Sequence, residues 1–127
     1  MVILNVLRLT LKPDTTAEQR GQVLAALRRT AALPSVSFNS VGPVFDDPLS
    51  FGYVVGIADL EALEAYMHDP VHLAGDEVIL PRVARLSAVR FADDADANIG
   101  AKVFALHQAK VAKYPEWGRL VESIAVD

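Results

Sequence analysis

The chain has 127 residues, 52% of them hydrophobic and 22% charged, which suits a single domain with a sizeable core. Twelve lysines and arginines against 16 aspartates and glutamates leave a formal charge of -4. The positive residues are scattered, which argues against nucleic acid as a partner. Cysteine is absent, so disulfides, thiolate nucleophiles and cysteine–zinc sites are excluded. No apolar run reaches the roughly 18 residues of a membrane helix, so we expect a cytoplasmic protein with no membrane partner.

The first part of the chain predicts a strand followed by an amphipathic helix. Residues 2–11 are aliphatic on both faces over their first half, with Asn5 on one face, which is typical of a strand covered on both sides. The helix that follows is expected to have Asp14 or Thr15 as its N-cap. Glu18, three or four residues on, would complete a capping box.

Two further strands are expected at residues 35–45 and 51–58, antiparallel to one another. The second alternates large and small side chains. Gly52 and Gly56 belong to the small side, which would allow a close approach. We expect a helix to pack there.

A second helix and a closing strand complete the main unit. Residues 59–68 predict a helix capped by Asp59. Asp69 and Pro70 then suit the cap and first position of a new helical turn. Residues 83–91 predict the last strand of this unit.

The order β-α-β-β-α-β is that of a ferredoxin-like α+β fold, which we assign to residues 1–92. An open sheet with both helices on one face leaves its other face bare and, here, apolar. We therefore expect a homodimer that covers this face. Residues 93–127 form a helical extension that docks on the domain or on the dimer partner. Its last segment places Trp117 and Ile124 on one helical side.

The segment "YMHDPVH", residues 66–72, concentrates the chemistry of the sequence, because it contains two of the three histidines. His68 and His72 are four residues apart, a spacing that suits a metal ion on a continuous helix. Pro70 interrupts that helix, and no third neutral ligand is near in sequence. We therefore predict no metal site.

Residues 51–91, "FGYVVGIADLEALEAYMHDPVHLAGDEVILPRVARLSAVRF", resemble the stress-responsive A/B-barrel (Dabb) family. The likeness is most specific at Leu63, Tyr66, Pro70 and His72 and extends more loosely over residues 2–92. The resemblance implies a dimeric α+β barrel. Many members have no known activity, and a few are enzymes without cofactors, among them the plant cyclase that makes olivetolic acid and a fern hydroxynitrile lyase.

In the cyclase-like members the histidine of this segment is the base and the tyrosine orients the substrate, roles that would fall on His72 and Tyr66. The chain departs from those members elsewhere. Asn5 stands where they have a histidine early in the first strand, and Phe51 or Val55 stands where they have one in the third strand. These departures remove polar groups that would bind the oxygens of a polyketide.

These residues predict a cofactor-independent enzyme acting on a small, apolar, polyketide-like carbonyl compound, as a cyclase, an aldol-type enzyme or a lyase. His72 would take a proton next to the carbonyl, and Tyr66 would donate to the developing oxyanion or fix His72. The predicted substrate-binding residues are Asn5, Phe51, Ile57, Val83, Leu86 and Ala88.

Two other functions remain open. The first is a stress-associated dimer that binds a hydrophobic metabolite without changing it, in which His72 and Tyr66 contact a ligand or simply pack a helix corner. The second is a heme-free monooxygenase of a related barrel type. The pattern of Tyr66, Pro70 and His72 favours the A/B-barrel branch over that one.

Overall fold

Strand β1 (Ile3–Leu11) lies at the centre of a five-stranded sheet in this computed structural model, which describes all 127 residues. It pairs antiparallel with β3 (Ser50–Ile57) on one side and β4 (Val83–Ala92) on the other. The edge strands are β2 (Phe38–Pro43), antiparallel to β3, and β5 (Ala125–Val126), parallel to β4. The sheet order is therefore β2-β3-β1-β4-β5.

Five helices connect or follow these strands. They are α1 (Ala17–Ala31), α2 (Leu60–His68), α3 (Pro70–Ile79), α4 (Ile99–Lys113) and α5 (Pro115–Glu122), with a 3-10 turn at Leu80–Arg82. The first four strands and the helices between them confirm the ferredoxin-like α+β fold. None of the helices is both long enough and apolar enough to span a bilayer.

The two faces of the sheet differ in what covers them. Helix α1 contributes Val23 and Leu27, and α2 contributes Leu63, to the same buried core as Leu9 and Val55 of the sheet. These strand positions alternate with positions on the opposite face, so the register sends every second side chain away from the helices. No helix covers that second face.

The bare face carries large apolar side chains. Val89 and Phe91 of β4 are 59% and 51% exposed, and they pair in register with Val6 and Leu4 of β1. The face is therefore apolar along the middle strands, as the alternation of the sequence predicts.

Helix α1 begins later than expected, so the predicted cap was wrong. Thr16 accepts a hydrogen bond from the backbone N–H of Gln19 at 3.1 Å, and the Gln19 side chain accepts one from the backbone N–H of Thr16 at 2.9 Å. These two bonds close a capping box. Arg82 binds both Asp14 and Thr15, at 2.6 and 2.8 Å, which ties the two expected caps to the start of β4.

The prediction that a helix approaches the small side of β3 was also wrong. Gly52 and Gly56 lie on the bare face, in register with Gly42 and Phe38 of β2. The Phe38 ring lies over Gly56, where an added Cβ would overlap it. An aromatic side chain of the neighbouring strand fills the space instead of a helix.

The C-terminal helix is shorter than the sequence predicts. Helix α5 ends at Glu122, and Ile124 follows it as a buried residue. The chain then pairs with β4, where the backbone N–H of Asp127 donates to the carbonyl of Leu86 at 2.9 Å. Arg85 also holds the Asp127 carboxylate through bonds of 2.6 and 2.9 Å, which favours the extended conformation.

Candidate active site

A cavity of about 600 Å³ lies between the helix-covered face of the sheet and the helices. Side chains of β1, β3 and β4 form its floor, and all five helices contribute to its walls. Twenty of its 30 lining residues are hydrophobic, so the few polar groups that reach it would decide how a guest molecule is oriented.

His72 occupies the first turn of α3, and the local sequence fixes it there. Asp69 accepts a hydrogen bond from the backbone N–H of Val71 at 2.8 Å, and Pro70 takes the first helical position. The Nδ1 of His72 lies 2.8 Å from the backbone carbonyl of Tyr66. A carbonyl only accepts, so Nδ1 carries the proton, and Nε2 of the neutral ring is a free base.

Asp76, one turn further along α3, lies opposite that base. Its Oδ2 is 3.4 Å from Nε2 of His72 and accepts a hydrogen bond of 2.8 Å from Nε1 of Trp117. Burial lowers the pKa of His72, although the charge of Asp76 acts in the opposite direction. The imidazole is therefore neutral near pH 7, and Asp76 would stabilise the imidazolium that forms when Nε2 takes a proton.

Two tyrosine hydroxyls form a buried pair beside the histidine. The hydroxyls of Tyr53 and Tyr66 are 2.5 Å apart, and the ring centres of Tyr66 and His72 are 4.4 Å apart. Burial raises the pKa of Tyr53 to about 12 and that of Tyr66 well above its usual range, so both stay protonated. One proton joins the two oxygens, and the other remains available to a guest oxygen.

Two fully buried polar oxygen atoms at the cavity have no hydrogen-bond partner in the protein. They are the buried Oδ1 of Asn5 and the buried Oγ1 of Thr30. An unpaired buried polar atom costs about 1–3 kcal/mol, which a ligand hydroxyl or N–H would recover. Asn5 thus lies where the sequence analysis expects it, on the cavity side of β1.

The structure brings together some of the predicted site residues and not others. His72, Tyr66, Asn5, Ile57 and Leu86 line the cavity, whereas Phe51, Val83 and Ala88 do not. Phe51 is fully buried with the guanidinium of Arg20 over its ring, and Val83 pairs with Leu11 at the far end of β1. Ala88 shares the covered face, paired with Leu7 of β1, but does not line the cavity. Alternation identifies the correct face without identifying the correct end of the sheet.

The two neighbouring histidines have different surroundings. His68 ends α2, and its Nδ1 lies 3.2 Å from the hydroxyl of Tyr114, which helps to join the extension to α2. His72 belongs to the next helix and contacts Asp76. No group of three or more histidine, cysteine, aspartate or glutamate side chains is arranged to hold a metal ion.

Sequence reasoning missed several polar residues of the cavity, among them Asp76, Tyr53 and Lys110. Asp76 had a signal, because it follows His72 by four residues on a predicted helical turn. Tyr53 had a weaker signal, because it alternates with other inward residues of β3. Lys110 and Trp117 come from the extension, and nothing in the sequence indicates that α4 would bury a lysine to 2% exposure under an indole ring.

Comparison with known proteins places this geometry in a family. The model of the stress responsive A/B barrel domain (Dabb) matches residues 3–93. A dimeric ferredoxin-like protein of unknown function from Thermobifida fusca is 27% identical over 72% of this chain and 91% of its own, with a TM-score of 0.64. No curated protein matches the sequence.

Two more distant structures share the fold. A Dabb family protein from Mesorhizobium loti is 18% identical over 74% of this chain and 98% of its own, with a TM-score of 0.60. A Chloroflexus aurantiacus protein with the provisional name of an antibiotic biosynthesis monooxygenase is 18% identical over 79% of this chain and 100% of its own, with a TM-score of 0.63. The family match over residues 3–93 identifies the chain as a member of the stress-responsive A/B barrel (Dabb) family.

Proposed function

We propose that this protein is a cofactor-independent enzyme that acts on a small, largely apolar carbonyl compound by acid–base chemistry. One observation carries the proposal: the basic Nε2 of His72 and the hydroxyl pair of Tyr53 and Tyr66 line the same apolar cavity. A base and a hydrogen-bond donor on one carbonyl compound are what proton abstraction next to a carbonyl requires.

The mechanism follows from these positions. His72 takes a proton from the carbon next to the carbonyl, and the electron pair moves to the carbonyl oxygen as an enolate. The free hydroxyl proton of the Tyr53–Tyr66 pair donates a hydrogen bond to that oxygen, and Asp76 stabilises the imidazolium. The enolate can then attack a second carbonyl in a cyclase or aldol-type reaction. A lyase would run the corresponding carbon–carbon cleavage.

We also infer that two copies pack through their bare sheet faces. Val89 and Phe91 supply exposed apolar surface there, and the similar Thermobifida fusca protein is described as dimeric. Packing of this face would stabilise the dimer by about 25 cal/mol for each Å² of apolar surface removed from water. It would leave the cavity, which lies on the other side of the sheet, open to its guest.

The test measures proton abstraction directly, since the true substrate is not needed for it. A panel of aryl and alkyl β-diketones is incubated with the protein in deuterated buffer, and deuterium uptake at the central carbon is followed by mass spectrometry. Replacing His72 by Gln should slow the catalysed exchange by about 10²–10⁴-fold, the usual contribution of a general base. His68→Gln, which removes the neighbouring imidazole, should leave the rate unchanged.

Exchange that survives His72→Gln in a folded protein would overturn the mechanism. Consumption of oxygen in the same assay would indicate the monooxygenase chemistry that the Chloroflexus protein's provisional name suggests. Deuterium exchange and oxygen consumption are measured on the same protein preparation, and circular dichroism checks that the protein is folded.

A ligand-binding protein without turnover is the second candidate function. The unpaired buried atoms of Asn5 and Thr30 favour it, because they provide polar recognition without supplying a base. This alternative predicts a small molecule that remains bound in native mass spectrometry and whose binding tolerates His72→Gln. Asn5→Leu, which removes the polar atom, should weaken that binding by about five- to tenfold, the equivalent of one hydrogen bond.

A further inference from the structure

Helix α4 places a lysine at the cavity. Lys110 is 2% exposed and lines the cavity, whereas Lys12, Lys102 and Lys113, the other lysines of the chain, are exposed. Burial of a lysine without a direct partner is costly, and such residues are rare in ordinary helices. The position of Lys110 therefore needs an explanation beyond packing.

The surroundings of Lys110 leave its amine free to react. Its Nζ lies 4.1 Å from the centre of the Trp117 ring, and it makes no ion pair or hydrogen bond with a protein group. The carboxylate of Asp76, in α3, attracts the charge of Lys110 from a distance. The charge of Lys110 in turn lowers the pKa of His72 in α3 and of His107 in α4.

The charges at the cavity favour a neutral guest over an anion. Asp76, Asp94 and Asp96 line it as carboxylates, against Arg90 and Lys110 as cations. Positive charge is therefore not in excess. A guest carboxylate would meet at least as many like charges as opposite ones.

We propose that Lys110 is the nucleophile of this cavity and forms an imine with an apolar aldehyde or ketone. The proposal deepens the proposed function, on whose cavity and ligand class it rests, by adding a covalent step. The step is carried by a residue of the extension, which lies outside the part of the chain that the family model matches.

The step balances without any other reagent. The lone pair of Nζ attacks the carbonyl carbon, the carbon–oxygen π electrons move to oxygen, and one amine proton follows, which gives a carbinolamine. The second amine proton moves to the hydroxyl, which leaves as water while the carbon–nitrogen double bond forms. Asp76 is placed to carry these protons, since its side chain lines the same cavity and its charge reaches Lys110.

Burial supports this role through the state of the amine. It lowers the pKa of Lys110 to about 8, against an ordinary value of 10.5. At pH 8 about half of Lys110 is then free amine, whereas an ordinary lysine is below about 1% free amine. Desolvation is a recognised way to activate a lysine for imine formation.

The test traps the imine on the intact protein. The protein is incubated at pH 8 with benzaldehyde and sodium cyanoborohydride, which reduces an imine to a stable benzylamine, and the labelled residue is found by peptide mapping. Lys110 should take up the label at least about tenfold faster than any other lysine, because far more of it is free amine. The rate at Lys110 should level off above pH 8, while the rates at the other lysines keep rising.

Matched variants complete the test. Lys110→Met, which keeps the length of the side chain, should abolish the fast label, and Lys113→Met, one turn along the same helix and exposed, should leave it unchanged. Label spread evenly over the four lysines, or a rate at Lys110 that rises like the others, overturns the proposal; this result on unmodified protein does not depend on how the variants fold. His72→Gln should still be labelled at Lys110, so loss of exchange without loss of labelling separates the proposed function from this inference.

Discussion

The two faces of the sheet are built from the same strands but differ in what lies against them. The covered face holds the cavity, with Tyr53 and Asn5 among its floor residues, and is closed by the helices. The bare face holds Val89 and Phe91, which remain more than half exposed. Neighbouring residues along one strand thus have different surroundings, because side chains alternate across a sheet.

One short sequence thereby builds a cavity on one face of the sheet and an apolar surface on the other. The covered face is chemically varied, since it mixes hydroxyl, amide and imidazole groups with aliphatic walls. The bare face is apolar at its centre, and charged at one end, where Arg8 binds Asp47 and Arg85 binds Asp127. An apolar centre with a charged rim is the usual anatomy of a protein–protein interface.

The largest effect is expected on the bare face. Phe91→Asp places a carboxylate in the middle of the proposed dimer contact, where it would lose its hydration without a partner. We expect the variant to sediment as a monomer at concentrations where the wild type is a dimer. The control is Phe45→Asp, which changes a residue that is 93% exposed and outside the sheet.

A Phe91→Asp variant that assembles like the wild type would place the dimer contact elsewhere. A wild-type protein that sediments as a monomer would contradict the dimer outright. Because Phe91 also lies at the edge of the cavity, circular dichroism and deuterium exchange on the variant would check that the cavity is intact.

On the covered face, the contact between the extension and α3 is the next to test. Trp117→Ala removes an indole that covers Lys110 and binds Asp76, and we expect the free energy of unfolding to fall by about 3 kcal/mol, the low end for a tryptophan because this one is only partly buried. Trp117→Phe keeps most of the ring and removes the hydrogen bond, so about 1 kcal/mol is expected. Urea unfolding measures both, and equal losses would show that the hydrogen bond alone matters.

The tyrosine pair predicts a smaller, non-additive effect. Tyr66→Phe leaves the buried hydroxyl of Tyr53 without its partner, and Tyr53→Phe does the reverse, each at a cost of about 1–3 kcal/mol. The double variant leaves no unpaired hydroxyl and should cost less than the sum. A double-mutant cycle by thermal unfolding measures the coupling, and additive losses would contradict the 2.5 Å contact.

Much of the fold follows from the sequence because strand alternation and helix caps are local signals. The alternation in β1 correctly assigns Asn5 and Leu4 to opposite faces of the sheet. Asp59 and Asp69 cap the helices at which they were expected. The cap of α1 was missed because Arg82, 67 residues away in sequence, binds Thr15. Local patterns do not report such distant competitors.

The candidate site was likewise predictable only in part. His72 and Tyr66 could be predicted because the short segment between them carries a family likeness. The burial of Lys110 could not, because it depends on where α4 docks against α2 and α5, and an isolated lysine on a helix gives no sign of its surroundings. Phe51 was expected at the cavity but lies outside it for a related reason. Its place in the strand shows that it faces inward, but only the packing of α1 determines which inward residues that helix covers.

The smallest effect is expected from the charge state of the cavity histidine. The folded pKa of His72 lies below its ordinary value of 6.5, so the unfolded chain binds more protons as the pH falls. Its contribution to stability is therefore complete above about pH 6.5 and is lost progressively below it, by at most about 1.4 kcal/mol per pH unit. His72→Gln should flatten the dependence of the unfolding free energy between pH 7 and 5, while His107→Gln, whose imidazole is less enclosed, should flatten it less. If the His72 variant keeps the wild-type slope in urea unfolding at each pH, the imidazole is not held neutral by burial, and its role as the base of the covered face fails with it.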